Sequence, residues 1–204
     1  MVTPSFGSLR KGVLIVVGAL ALYFAYSYVL RYFVWSEQSY GYYWPFRLAL
    51  VAHVTGGLVA LLMGVFQLWS GLNANAMGTH PLTGRIYLAG VLVGSLGAIV
   101  LAFTSHAYGF GWGVGLFSLA VAWLATTFTA LLCIKRRNIR AHRQWMIRSY
   151  IVTFAFVIFR IATDYIPAEA WWGISLAEMS TAMIWPVWVL PLLAYEVYLQ
   201  YQDR

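Results

Sequence analysis

Residues 45–69 read PFRLALVAHVTGGLVALLMGVFQLW. One charge, Arg47, stands near the start of this stretch, and one imidazole, His53, lies inside it. A bilayer core of about 30 Å takes roughly 20 apolar residues of helix, so the stretch is long enough to cross by itself. Pro45 suits a first helical turn, where its missing N–H is no loss. The same composition runs through the chain: 62% of 204 residues are hydrophobic and 9% are charged. A soluble domain carries roughly 25% charged residues. This balance excludes a soluble globular enzyme, a disordered protein and a nucleic-acid-binding module, even with a net charge of +7.

Working outward, five more stretches satisfy the same length rule: Val13–Phe33, Leu82–Phe103, Trp112–Ile134, Trp145–Ile161 and Met179–Leu199. The expectation is an all-α polytopic bundle of six transmembrane helices forming one integral-membrane domain over 1–204. Thr79 precedes Pro81 as an N-cap for the third span. Pro186 and Pro191 predict kinks in the sixth, which neighbouring helices can tolerate. Gly71–Met77, Tyr108–Gly113, the basic Lys135–Arg143 and Pro167–Glu178 read as connections. The apolar run after Arg10 and Lys11 is too long for a signal-peptide core and reads as a retained first span.

The cations predict the orientation. Ten of the 13 Lys and Arg residues, from Arg10 through Arg85 and the Lys135–Arg148 run to Arg204, fall at one set of helix ends. Arg31, Arg47 and Arg160 fall at the other. The positive-inside rule then predicts both termini in the cytoplasm of a multi-pass membrane protein, with lipid as its neighbour. The sole cysteine, Cys133, has no disulfide partner, and no Cys/His spacing suits zinc. Redox chemistry would need a bound cofactor.

Four histidines sort by face. His53 and His106 fall near the outer ends, His80 and His142 near the inner ends. His80 and His106 are 26 residues apart, about 39 Å of helix, so they cannot share a site. One imidazole couple per face is the pattern for axial ligation of haem iron, which predicts one or two b haems. Gly56, Gly57 and Gly84 lie near these histidines and predict room for a flat ring. Arg47 and Arg160 on one face, with Arg85, Arg143 and Arg148 on the other, are candidates to pair with propionates. Arg160 also stands four residues before Asp164, at the spacing of a helical ion pair. The plainer alternative makes His80 and His142 capping or interfacial residues and His106 an ordinary loop residue. His53, within an apolar helix, is the hardest to read that way.

HVTGG at 53–57, HPLTGRIY at 80–87, HRQWMIRSY at 142–150 and the Phe159–Arg160 pair resemble the bacterial membrane family DUF2306. That family brings no settled activity. More distantly, the layout is similar to the cytochrome b561 proteins. That likeness implies six helices, two b haems between histidines of the four central helices, and electron transfer across the membrane. His53, His80 and His142 match ligand positions on the second, third and fifth helices, whereas His106 follows the third helix and the fourth span has no histidine.

The expected function is therefore a b-type haem protein, a transmembrane electron carrier served by a quinol or another redox partner. Two other classes fit the same residues. One is a haem-free transporter or a lipid- or isoprenoid-binding protein whose polar cavity is lined by the histidines and Arg160. The other is a structural or assembly subunit of a membrane complex. Nucleophilic catalysis finds no triad geometry, since Ser105 beside His106 is only sequence adjacency.

Overall fold

The computed structural model describes residues 6–72, 78–104, 108–167, 169 and 172–202. Among these, six helical stretches are long and apolar enough to cross a membrane: Lys11–Phe33, Glu37–Gly71, His80–Thr104, Phe110–Lys135, Ile139–Tyr165 and Leu176–Gln202. Each predicted span falls inside one of them, and no strand occurs among the described residues.

Three spans are single helices over most of their length: α3 (Arg47–Leu72), α4 (His80–Thr104) and α5 (Phe110–Lys135). The other three are interrupted. The first runs as α1 (Phe6–Phe24), a π-helical turn (Ala25–Val29) and a 3-10 turn (Leu30–Phe33). Short α2 (Glu37–Tyr40) follows, with the Ser36 side chain accepting from the Ser39 N–H. A 3-10 stretch, Gly41–Phe46, then carries Pro45 into α3.

The fifth span is α6 (Ile139–Thr153) and α7 (Ala155–Tyr165), broken at Phe154. It is longer than its apolar core because Asn138 caps α6, its side chain accepting from the Ala141 N–H at 3.0 Å. The predicted basic loop thus shrinks to residues 136–138, with Arg137 at φ 59°. The sixth span is α8 (Leu176–Met183) and α9 (Pro186–Gln202). A capping box between Ser175 and Glu178 opens α8, so its helix starts earlier than predicted. The break falls at Pro186, which lacks the N–H needed to continue α8, whereas α9 runs through Pro191. At Tyr108–Gly113, where a turn is predicted, α5 already starts at Phe110, after Gly109 at φ 84°.

The tightest packing joins α3 to α4. Small residues let membrane helices approach to backbone contact, where dispersion and weak polar contacts hold them. A Cβ at Gly97 would lie 2.5 Å from the Ala49 carbonyl oxygen and 2.6 Å from the His53 nitrogen. A Cβ at Gly56 would meet the backbone of Gly90 and Gly94. This corrects the expectation for Gly56: its space is filled by the neighbouring helix. Gly84 is corrected likewise, since the Gln67 side chain occupies its gap, 3.4 Å from where a Cβ would stand. Gly57 alone of the three has nothing within 4 Å.

The core continues through Tyr87, Val91, Trp123, Tyr150, Phe159 and Ile184. Tyr150 lies over Gly64 and donates to the Leu61 carbonyl at 3.2 Å. The first and sixth spans are the least embedded. Arg148 on α6 ties the sixth span in place with two bonds to Glu196, at 2.5 and 2.8 Å.

Candidate functional site

A cavity of about 440 Å³ opens in the half of the bundle remote from the basic 135–143 end, and all six spans contribute to its wall. Its volume lies in the roughly 300–1,000 Å³ range of small-molecule sites. Leu116, Ala120, Trp123, Phe156 and Val157 make most of one side apolar and aromatic. Tyr28, Arg31, Arg160 and Asp164 give it a polar end.

His53 is on this wall. Its position follows from the α3–α4 seam, which brings the Gly94 carbonyl within 2.9 Å of Nδ1. A carbonyl only accepts, so Nδ1 carries the proton and Nε2 keeps its lone pair. No described residue bonds Nε2. The ring also meets Phe156 edge-on, with centroids 5.8 Å apart.

His142 repeats the arrangement at the basic face, with Nδ1 donating to the Ala130 carbonyl at 2.9 Å. His80 does so through a hydroxyl. Ser70 donates to the Gln67 carbonyl at 3.3 Å and therefore accepts from His80 Nδ1, at 2.7 Å. The structure brings His80, His142 and Arg143 within electrostatic reach of one another. Neither His80 nor His142 lines the cavity. Gln67, which fills the Gly84 gap beside them, bonds the His80 carbonyl at 2.9 Å and Thr83 Oγ1 at 2.5 Å. His106 lies outside the described residues.

The arginines divide clearly. Arg160 lines the cavity, with its guanidinium 5.5 Å from the Tyr28 ring centroid. The expected ion pair with Asp164 is not formed, because Asp164 accepts the Tyr28 hydroxyl instead. The ring therefore stands between a carboxylate at its tip and a cation at its face.

Arg148, expected to meet a propionate, is committed to Glu196 and lies 4.6 Å from the Trp145 centroid. Arg47 donates to the Trp44 carbonyl at 3.0 Å and rests on the Trp44 ring, away from the cavity. Arg85 is exposed at the basic end. Arg31, which the sequence marked only as a charge, lines the polar end and donates to the Tyr32 hydroxyl at 2.6 Å.

Sequence reasoning missed a buried hydroxyl network beneath the cavity. Thr153, on the cavity wall, gives its proton to the Ser149 carbonyl at 2.9 Å. It accepts from Trp123 Nε1 and from the Tyr87 hydroxyl, each at 2.8 Å. Tyr87 then accepts from Ser149 Oγ at 2.6 Å, and Ser149 from Thr127 Oγ1 at 2.6 Å. Each of these five donors has its acceptor, so the network clamps α4, α5 and α6 in one register. Its available signal lay in the segments HPLTGRIY and HRQWMIRSY. Tyr87 closes the first motif and Ser149 nearly closes the second, and the two side chains meet.

Six apolar crossings around an internal cavity define a multi-pass membrane protein. The family model described as "Predicted membrane protein (DUF2306)" matches residues 50–199, and the chain belongs to that family. The matched region includes His53, His80, His142, Arg160 and the hydroxyl network, and it begins after the first span. No curated protein and no solved structure matches the chain.

Proposed function

We propose that the chain is a b-type haem membrane protein, with one haem in the cavity, that carries electrons between a quinol or similar donor and an acceptor. The observation that carries this reading is the state of His53. It sits within an apolar helix, on the wall of an amphipathic cavity, with Nδ1 fixed by a carbonyl and Nε2 unclaimed by the described residues. That tautomer is the one an axial imidazole needs, and the carbonyl is the kind of outer partner that orients such ligands.

The rest of the lining fits the group. Arg160, with no carboxylate partner among the described residues, is a mate for a propionate. Gly57 leaves open space on the His53 helix. His106 is the proposed second ligand. The haem, when bound, supplies a one-electron couple, while the protein supplies ligands, orientation and a dry aromatic shell. His80 and His142 are read as structural in this proposal, since neither lines the cavity and the Gln67 side chain fills the gap at Gly84. The basic face is proposed to be cytoplasmic. The layout is b561-like in having a histidine site within a six-helix bundle.

The test is an absorbance spectrum of protein purified from haem-sufficient cells, oxidised and then reduced. The proposal expects a haem spectrum that His53→Ala removes and His142→Ala leaves. A second reading, a haem-free site for an isoprenoid quinone or lipid, is favoured by the gathering of Tyr28, Arg160 and Asp164 at one end of an otherwise apolar cavity. Colourless, folded protein with a stoichiometric co-purified lipid would select it.

A further inference from the structure

The cavity has a seam between the first span and the end of the fifth. Two hydrogen bonds close it: Tyr28 donates to Asp164, and the Tyr23 and Tyr165 hydroxyls meet at 2.7 Å. Below them the contact is a small apolar cluster, with Ala21, Leu61 and Val157 at its centre. The first span is otherwise little embedded and faces outward over most of its surface. Its helix changes to π geometry over Ala25–Val29, the turn that carries Tyr28. Single π turns frequently mark functional sites, because the extra residue redirects side chains without ending the helix. Just inside the seam lies Arg160, its guanidinium over the face of Tyr28 and without a side-chain hydrogen bond among the described residues.

We infer that the cavity is loaded sideways from the bilayer, through this seam, by a molecule with an apolar body and a carboxylate head. The head replaces the Tyr28 ring on Arg160, and Tyr28–Asp164 with Tyr23–Tyr165 is the latch that opens and recloses. The physical reason is exchange at nearly constant contact. Arg160 trades a cation–π contact for a charge-assisted hydrogen bond, the stronger of the two in a low-dielectric setting. Tyr28 is then free to leave Asp164, which stands at the exposed edge of the seam and can be hydrated there. Haem propionates and fatty carboxylates share this head chemistry. The inference rests on the cavity and its latch and stands whether or not the occupant is haem.

The experiment needs no knowledge of the occupant. The single native cysteine is removed with Cys133→Ser, and Ala120→Cys puts a thiol on the buried cavity wall. N-ethylmaleimide, which partitions into bilayers, then reports access in protein reconstituted into vesicles. Adding Tyr28→Phe or Asp164→Asn should speed labelling at least threefold. Adding Glu196→Gln, which loosens the sixth span instead, should leave the rate unchanged. Equal rates with and without the latch overturn the inference. So does an equal acceleration by Glu196→Gln, which would mean general loosening.

Oleate should slow labelling more than oleyl alcohol, and Arg160→Gln should abolish that difference. Equal protection by both removes the head-group assignment. A shifted haem absorbance on adding hemin, or its absence, distinguishes propionate from lipid carboxylate as the source of the head. A failure to bind hemin bears on the haem reading alone.

Discussion

Replacing Gly97 with alanine tests the seam that positions His53. The new Cβ would stand 2.5 Å from the Ala49 oxygen and 2.6 Å from the His53 nitrogen. Both are backbone atoms of a continuous helix, so neither can swing aside. Reaching ordinary van der Waals contact, roughly 3.4 Å, requires α3 and α4 to part by about 0.9 Å. Overpacking of this kind costs about 1–3 kcal/mol, and rigid backbone on both sides places it at the upper end. Alanine returns about 1 kcal/mol of helix propensity over glycine, leaving a net loss near 2 kcal/mol. For a chain of this size that corresponds to a melting point lower by about 4–8 °C.

The same parting, about 0.9 Å, would stretch the 2.9 Å bond from His53 to Gly94 beyond hydrogen-bonding distance. The ring would then lose its fixed tautomer. Gly57→Ala is the matched control. A Cβ there meets nothing within 4 Å, so that variant should melt at or slightly above the parent. Thermal unfolding of the detergent-solubilised protein, followed by tryptophan fluorescence, reads both. If Gly97→Ala is as stable as Gly57→Ala, the close seam and the account of how His53 is held are wrong.

Glu196→Gln leaves the Arg148 guanidinium, 12% exposed, without its counter-charge, and its Nη1 already has no hydrogen-bond partner among the described residues. A loss of about 1–3 kcal/mol is expected by thermal unfolding, and an unchanged melting point would make the pair dispensable. Tyr87→Phe removes the central hydroxyl of the buried network and strands Ser149 Oγ as a donor. It should cost about 1–3 kcal/mol by thermal unfolding, and an unchanged melting point would make the network's clamping role wrong. Arg160→Gln should keep the free energy of unfolding within about 1 kcal/mol of the parent, as read by thermal unfolding, since the guanidinium makes no ion pair with Asp164. It should also weaken retention of a carboxylate-bearing ligand, as read by gel filtration of the loaded protein.

The spans were legible because membrane solvation acts on each helix separately. Twenty apolar residues announce a crossing whatever they pack against. Interruptions were legible only where the local chemistry is unmistakable, as at Pro186. The π turn at Ala25–Val29 and the break at Phe154 leave no mark in hydropathy.

The site was half legible. A histidine inside an apolar helix identifies itself, and His53 does line the cavity. Glycines do not identify themselves: Gly56 and Gly97 serve backbone contact, and Gly57 alone leaves open space on the His53 helix. Charge spacing misled at Arg160, where i,i+4 geometry offered Asp164 but Tyr28, from a span more than 130 residues away, took the carboxylate. Spacing was equally silent at Arg148, whose partner Glu196 lies 48 residues on.

The most direct test of a haem in the His53 cavity is the oxidised-minus-reduced absorbance spectrum of the intact protein, purified in mild detergent from haem-sufficient cells. One b-type haem per chain, lost in His53→Ala protein that still folds and retained in His142→Ala, is the predicted result. A colourless, well-folded parent, or a spectrum that survives His53→Ala, would contradict it.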